Sequence, residues 1–120
     1  MRKLKYIISK IPPSNNKYIG QNKRWQYAEA KKEWAQIVRY TCRPAPPEPI
    51  RKAVVEIVYY FPDRRRRDPD NYSGKFLLDG LVRAEIIADD SFECITLQLG
   101  AGYDKENPRT EIAITEIENV

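Results

Sequence analysis

Residues 62–71 read PDRRRRDPDN: four consecutive arginines, Arg64, Arg65, Arg66 and Arg67, stand between Asp63 and the triplet Asp68-Pro69-Asp70. A second acidic pair, Asp89-Asp90, follows further along the chain. Aspartates offer hard oxygen ligands. Mg²⁺ prefers an octahedral oxygen shell and keeps several waters, so two or three aspartates leave room for phosphate oxygens and an attacking water. A centre of that kind cleaves phosphodiesters. Carboxylates beside a DNA backbone would repel it, and neighbouring guanidiniums remove the repulsion. In an extended loop alternate residues point opposite ways, so some arginines pair with the aspartates while others reach phosphate. Lys75, near the helical face of Asp70, is placed to stabilise an attacking or leaving oxygen.

Each of these residues also has a plainer role open to it. Asp68 suits a helix N-cap, Pro69 the first helical position, and Asp70 the first turn, where it complements the helix dipole. The arginines could be a solvated loop partly offset by Asp63, and Lys75 could pair weakly with Asp79 at i+4. From spacing alone the helix-start roles are the stronger expectation for Asp68 and Asp70; Asn71 beside them and the Asp89-Asp90 pair are what move the reading toward chemistry.

The rest of the composition narrows the chemistry. The chain has 120 residues, enough for one domain and one core. It contains no histidine, which removes imidazole acid–base catalysis, His-activated nucleophiles and His-metal sites together. Cys42 and Cys94 match no metal spacing and are expected as reduced, buried thiols. With 42% hydrophobic and 32% charged residues, and no apolar run near the ~20 residues of a membrane span, the reading is a soluble cytoplasmic protein with no membrane partner. The N-terminus is too poor in apolar residues for a signal peptide. No organic cofactor is expected. Residues 1–75 hold 18 Lys and Arg against 7 Asp and Glu, whereas residues 76–120 hold 3 against 10. A basic majority with an acidic remainder suits a nucleic-acid binder that also carries carboxylates.

The elements that must position these residues follow from periodicity. Residues 4–9 predict a first strand, ended by IPPSNNK. Tyr27, Ala30, Trp34, Ile37, Val38 and Cys42 recur every three or four residues and predict an amphipathic helix over about 22–43, stopped by PAPPEP. Residues 52–61 predict an interior strand covered on both faces. A second helix is expected over about 69–87, weakened by Gly74 and Gly80. Residues 92–99 and 110–117 alternate and predict an antiparallel hairpin joined by GAGYDKENP. The fold class is α+β: a single domain of order β-α-β-α-β-β, one mixed sheet with helices packed on it. A helix of some 18 residues would separate its ends by about 27 Å, which keeps Asp70 far from Asp90. Either the helix is shorter or bent at Gly80, or the sites of two subunits lie close together.

PDRRRRDPDN at 62–71, with IPPSNN at 11–16, LLDGL at 77–81, DDS at 89–91 and the closing ITEIENV, resembles the RusA family of Holliday junction resolvases. The resemblance runs in order along nearly the whole chain. It implies a homodimeric, Mg²⁺-dependent endonuclease, with Mn²⁺ as a substitute, that binds four-way junction DNA and makes paired symmetric nicks. It also implies a phage or prophage origin in a bacterial host. Carried over by motif, Asp68, Asp70 and Asp90 become the metal-binding catalytic acids, converging in the folded protein, and Arg64 to Arg67 the DNA contacts. Lys75 falls one position out of register with the family's helix lysine, because the stretch between Asn71 and Asp79 is one residue longer. Two other classes share the basic loop: a non-catalytic junction-binding module, and a nuclease for flaps or other branched DNA. Trp25, Tyr27 and Tyr72 are candidates for stacking on unpaired bases, with core packing the stronger expectation for each.

Overall fold

In the computed structural model, which describes residues 2–20 and 22–117, the order of elements is the expected one. Strand β1 is Lys3–Ile8, helix α1 Arg24–Thr41, β2 Ala53–Phe61, α2 Lys75–Arg83, β3 Ile95–Tyr103 and β4 Arg109–Glu116. A 3₁₀ turn at Asn15–Tyr18 precedes α1, with Ser14 accepting from the backbone N–H of Asn16. The last residues of the ITEIENV segment, 118–120, lie outside the described residues.

The four strands form one mixed sheet in the order β1-β4-β2-β3. β4 is antiparallel to both β1 and β2, so those two run the same way, and β3 is parallel to β2. The expected hairpin of the last two strands does not form, because β2 lies between them. Alternation reports which residues face the core and is silent about the neighbouring strand. Its connection, residues 104–108, crosses the end of β2, where the Asp104 N–H donates to the Phe61 carbonyl at 2.8 Å. Arg109 pins that crossing by donating to Asp104 Oδ2 at 2.7 Å and to the Asn107 carbonyl at 3.0 Å.

Register sets the core in rows across the sheet. Leu4, Ile114, Val55 and Leu97 make one row; Tyr6, Ile112, Ile57 and Leu99 the next; Ile8, Thr110, Tyr59 and Ala101 the third. Ala30, Trp34 and Val38 of α1 and Phe76, Leu77, Leu78 and Leu81 of α2 join the same core. The other sheet face is open. Glu56 is exposed there, and Lys5 and Arg109 pair with Glu111 at 3.3 and 2.7 Å. β2 is therefore interior in the sheet but covered on one face only. The helices stop short of β3, so Leu97 and Leu99 belong to core rows yet stay 36% exposed.

α2 is half the expected length at both ends' expense. Gly74 precedes it at φ 83°, where an added Cβ would meet Ile57 Cδ1 at 2.8 Å, so the chain turns into the helix there and not at Pro69. At its C-terminus Glu85 takes φ 61°, the Glu85 N–H donates to the Val82 carbonyl, and the Ile86 N–H to the Leu81 carbonyl. This is a Schellman closure made without glycine. Cys42 is buried and its thiol is pushed up to about 11, chiefly by burial, whereas Cys94 is half-buried; both are free thiols. No helix among the described residues is long and apolar enough to cross a membrane.

Gly80 fixes how closely the helices approach, since a Cβ there would fall 2.8 Å from Val38 Cγ2 and 2.9 Å from its Cβ. Gly80→Ala is expected to lower the unfolding free energy in urea by about 1–3 kcal/mol, the usual cost of overpacking, although alanine is the better helix former. Val38→Ala in the same chain should recover part of the loss. A Gly80→Ala midpoint equal to wild type would show that this approach is not tight.

Candidate functional site

Three connections leave the same end of the sheet. β1 and β2 run the same way, so the segments that follow them, residues 9–20 and 62–74, emerge at one end, with residues 104–108 leading into β4 between them. Asn15 ties the first two together. Its N–H donates to the Asn71 carbonyl at 2.9 Å, and its Nδ2 donates to the Asp70 carbonyl at 3.0 Å and to Ser73 Oγ at 2.9 Å. Sequence reasoning assigned Asn15 no role, although it lies inside the IPPSNN block.

Within the loop the arginines divide. Arg67 turns inward: its guanidinium stacks 4.3 Å from the Phe61 ring centroid and donates to Asp63 Oδ1 at 2.7 Å and to the Asp63 carbonyl at 2.9 Å. Arg64 lies 4.4 Å over the Tyr103 ring. Arg65 reaches Asp63 at 3.7 Å and Arg66 reaches Asp68 Oδ1 at 3.2 Å, but both side chains are largely in solvent, 80% and 89% exposed. Some guanidiniums thus pair with aspartates while others remain open to an anion.

Asp68 and Asp70 are not helix caps. They flank Pro69 in a turn in which the Asn71 N–H donates to the Asp68 carbonyl at 3.0 Å and Tyr72 N–H to the Pro69 carbonyl at 3.2 Å. Tyr72 anchors that turn, its ring 5.6 Å from Tyr59 and 5.1 Å from Phe61. With the capping role gone, nothing in the local backbone requires an acid at either position. Lys75 opens α2, and it does not pair with Asp79. Its ammonium sits 5.0 Å from the Tyr27 ring centroid, while Asp79 takes Lys31 at 3.9 Å and Arg83 at 3.0 Å.

Asp68 lines a small cavity of about 130 Å³ with Tyr59, Phe61, Arg67, Leu99 and Ala101. Asp90 lines a larger one of about 420 Å³ with Leu78, Phe92, Ile95 and Leu97. The first reaches Leu99 and the second Leu97, successive residues of the uncovered row of β3. Asp90 precedes β3 at the sheet end where β2 begins, whereas loop 62–74 leaves the other end and folds back over the sheet, so that Asp68 lies beside Leu99 and Ala101 and Gly74 against Ile57 and Leu99. The shorter α2, about 13 Å, reduces the separation that a helix of about 18 residues would impose. Among the described residues of one chain, no three His, Cys, Asp or Glu side chains form a group able to hold a metal ion. The carboxylates of Asp70 and Asp90 have no hydrogen bond or ion pair among those residues, so each keeps its hard oxygens free.

An acid-and-arginine loop at the open end of an α+β sheet has the donor chemistry of a protein that acts on phosphodiesters. The family model described as Endodeoxyribonuclease RusA matches residues 10–115, and the chain belongs to that family. Membership makes it an endodeoxyribonuclease of the Holliday junction resolvase class, acting on branched DNA in recombination and repair. No curated protein matches the sequence.

The Asp63 carboxyl is held below the usual aspartate range, first by the Arg65 N–H and then by Arg67. A depressed carboxyl contributes stability above its unfolded value, about 3.9, and loses it as pH falls through the lower folded value. Asp63→Asn is therefore expected to flatten the dependence of Tm on pH below about pH 4. An identical acid limb in variant and wild type would mean that the Asp63–Arg67 clasp does not support the loop.

Proposed function

We propose that this chain is a Mg²⁺-dependent endonuclease that resolves four-way DNA junctions by paired symmetric nicks, working as a homodimer in a bacterial cytoplasm. The observation that carries the reading is the family match over residues 10–115, with Asp68 and Asp70 freed from any capping duty beside two solvent-directed arginines. Asp68, Asp70 and Asp90 would hold the cation, Mg²⁺ or Mn²⁺ in its place. When bound, the ion supplies positive charge to phosphate oxygens and acidity to water.

The chain's own residues do the rest. Arg64, Arg65 and Arg66 draw the backbone phosphate to the loop, and Arg67 positions the loop through Asp63. Lys75, held over Tyr27 at the start of α2, puts a positive charge beside the reacting phosphate.

A second copy answers two features at once. β3 is an edge strand of nine residues, ITLQLGAGY, with no charge and no proline to blunt it. Its inward row, Leu97 and Leu99, and the fully exposed Phe92 nearby lack a cover. Antiparallel pairing of β3 with its twin would cover that row. It would also set the start of one strand beside the end of the other, bringing the partner's Asp90 toward the Asp68–Asp70 loop. A two-fold dimer matches a junction of near two-fold symmetry in which two strands must be cut.

Asp70→Asn and Asp90→Asn are each expected to bind a junction tightly and leave it uncut. Mixed and allowed to exchange subunits, they should regain single-strand nicking, because each mixed dimer then holds one intact shared site. A mixture that stays inert after exchange places each site within one chain, and wild-type cutting by Asp70→Asn overturns the assignment of that acid. Equal cutting of flaps or three-way junctions would mark a broader branched-DNA nuclease.

Neutralising Arg65 and Arg66 together should lower the slope of log affinity against log salt by about two. An unchanged slope would assign both arginines to the fold.

A further inference from the structure

Of the two tryptophans, Trp34 is 3% exposed and packs in the core, whereas Trp25 is 71% exposed. Tyr27 and Tyr72, the two other aromatics that the sequence offered for stacking, are half-buried in ring clusters. Trp25 is the second residue of α1, and helical side chains lean toward the helix N-terminus. That end of α1 is the end from which loop 62–74 emerges. The first turn is firmly seated: Tyr27 packs edge-on to Tyr18 at 5.6 Å and against Phe76 at 5.5 Å, and Lys75 lies over the Tyr27 ring. Asn15 completes the link to Asp70. The indole is thus carried on an anchored element at the same end as the Asp68–Asp70 loop, with no part in the core.

The surroundings identify its partner. Residues 1–28 contain seven Lys and Arg and no Asp or Glu. Lys17, Lys23 and Arg24 are exposed around the start of α1 and form no ion pair among the described residues. An exposed indole within a wholly basic stretch fits a base attached to a phosphate backbone: the ring takes the base face and the cations take the phosphates. We propose that Trp25 is a base-stacking residue that receives an unpaired base at the branch point of the DNA. The inference rests on the reading that the chain binds junctions, and it names the residue that distinguishes a branch from plain duplex, where every base is already stacked.

The test uses the whole chain in EDTA, so that no strand is cut. Titrating a four-way junction should quench the indole emission, and a linear duplex of the same sequence should leave it nearly unchanged. In Trp25→Phe the quench should vanish, since Trp34 is buried. Trp25→Ala should weaken junction binding roughly tenfold and duplex binding little, with Trp25→Phe recovering much of that loss. Gel-shift binding without quenching, or equal quenching by duplex, overturns the proposal. A concentration-dependent blue shift without DNA overturns it too, by placing Trp25 in a protein interface. If no version cuts any junction but the quench and the tenfold loss persist, the nuclease reading fails and the stacking residue stands.

Discussion

The parallel pairing of β2 with β3 is the constraint from which the rest of this structure follows. A parallel neighbour cannot be reached by a tight turn, so the chain must travel back along the sheet before β3 begins, and α2 makes that return. The return carries the chain from loop 62–74, which leaves the end of β2, to Asp89-Asp90 ahead of β3. It also fixes β3 as an edge strand, because β4 takes the other side of β2. One topological choice therefore puts α2 between the Asp68–Asp70 turn and Asp90 and leaves β3 as an open edge.

Packing reinforces that arrangement. α1 and α2 lie side by side in the same direction, with Tyr27 near Lys75, Lys31 near Asp79 and Val38 against Gly80. Their close approach at Gly80 concentrates apolar side chains over β1, β4 and β2. Burying a large aliphatic side chain is worth about 1.5–3 kcal/mol, and the core rows gain this fully at Ile114, Val55, Ile112 and Ile57. The same rows end at Leu97 and Leu99, where the gain is incomplete. Two cavities lie along that margin, one containing Asp68 and the other Asp90. The margin of the core and the candidate site are one surface.

Periodicity made the six elements legible because it reports burial, and burial is what α1 and the strands share. β1, α1 and β2 appear within two residues of their expected limits. What failed had a different cause. The partner of β3 depends on the path of α2, and its length depends on Gly74 at φ 83° and Glu85 at φ 61°. A glutamate in the left-handed region leaves no signature in sequence, and Asp68-Pro69-Asp70 imitates a helix start that the chain does not use. Apolar residues on both parities of β2 suggested two covered faces. Val54, Val58 and Tyr60 are instead half-buried on the open face, where Arg109 lies 4.1 Å over the Tyr60 ring. In the site, the mixture of acids and arginines was readable as a loop that pairs some charges and frees others. Which arginine did which was not, because Arg67 is set apart by the Phe61 ring beneath it and Asp63 beside it, contacts that only the fold provides.

The charge pattern of the loop then has a physical order. Asp63 serves Arg67, and through it the loop. Asp68 is shared with Arg66, and Asp70 is held by its backbone while its carboxylate stays free. If all four arginines faced solvent, they would attract phosphate from any direction and hold no geometry. If all were paired, the acids beyond them would repel the backbone. Inward turning of one guanidinium, stacking of another on Tyr103 and exposure of the middle two give the loop a shape and a direction of attraction at once. The acids can then lie close to a phosphodiester that the arginines have already drawn in.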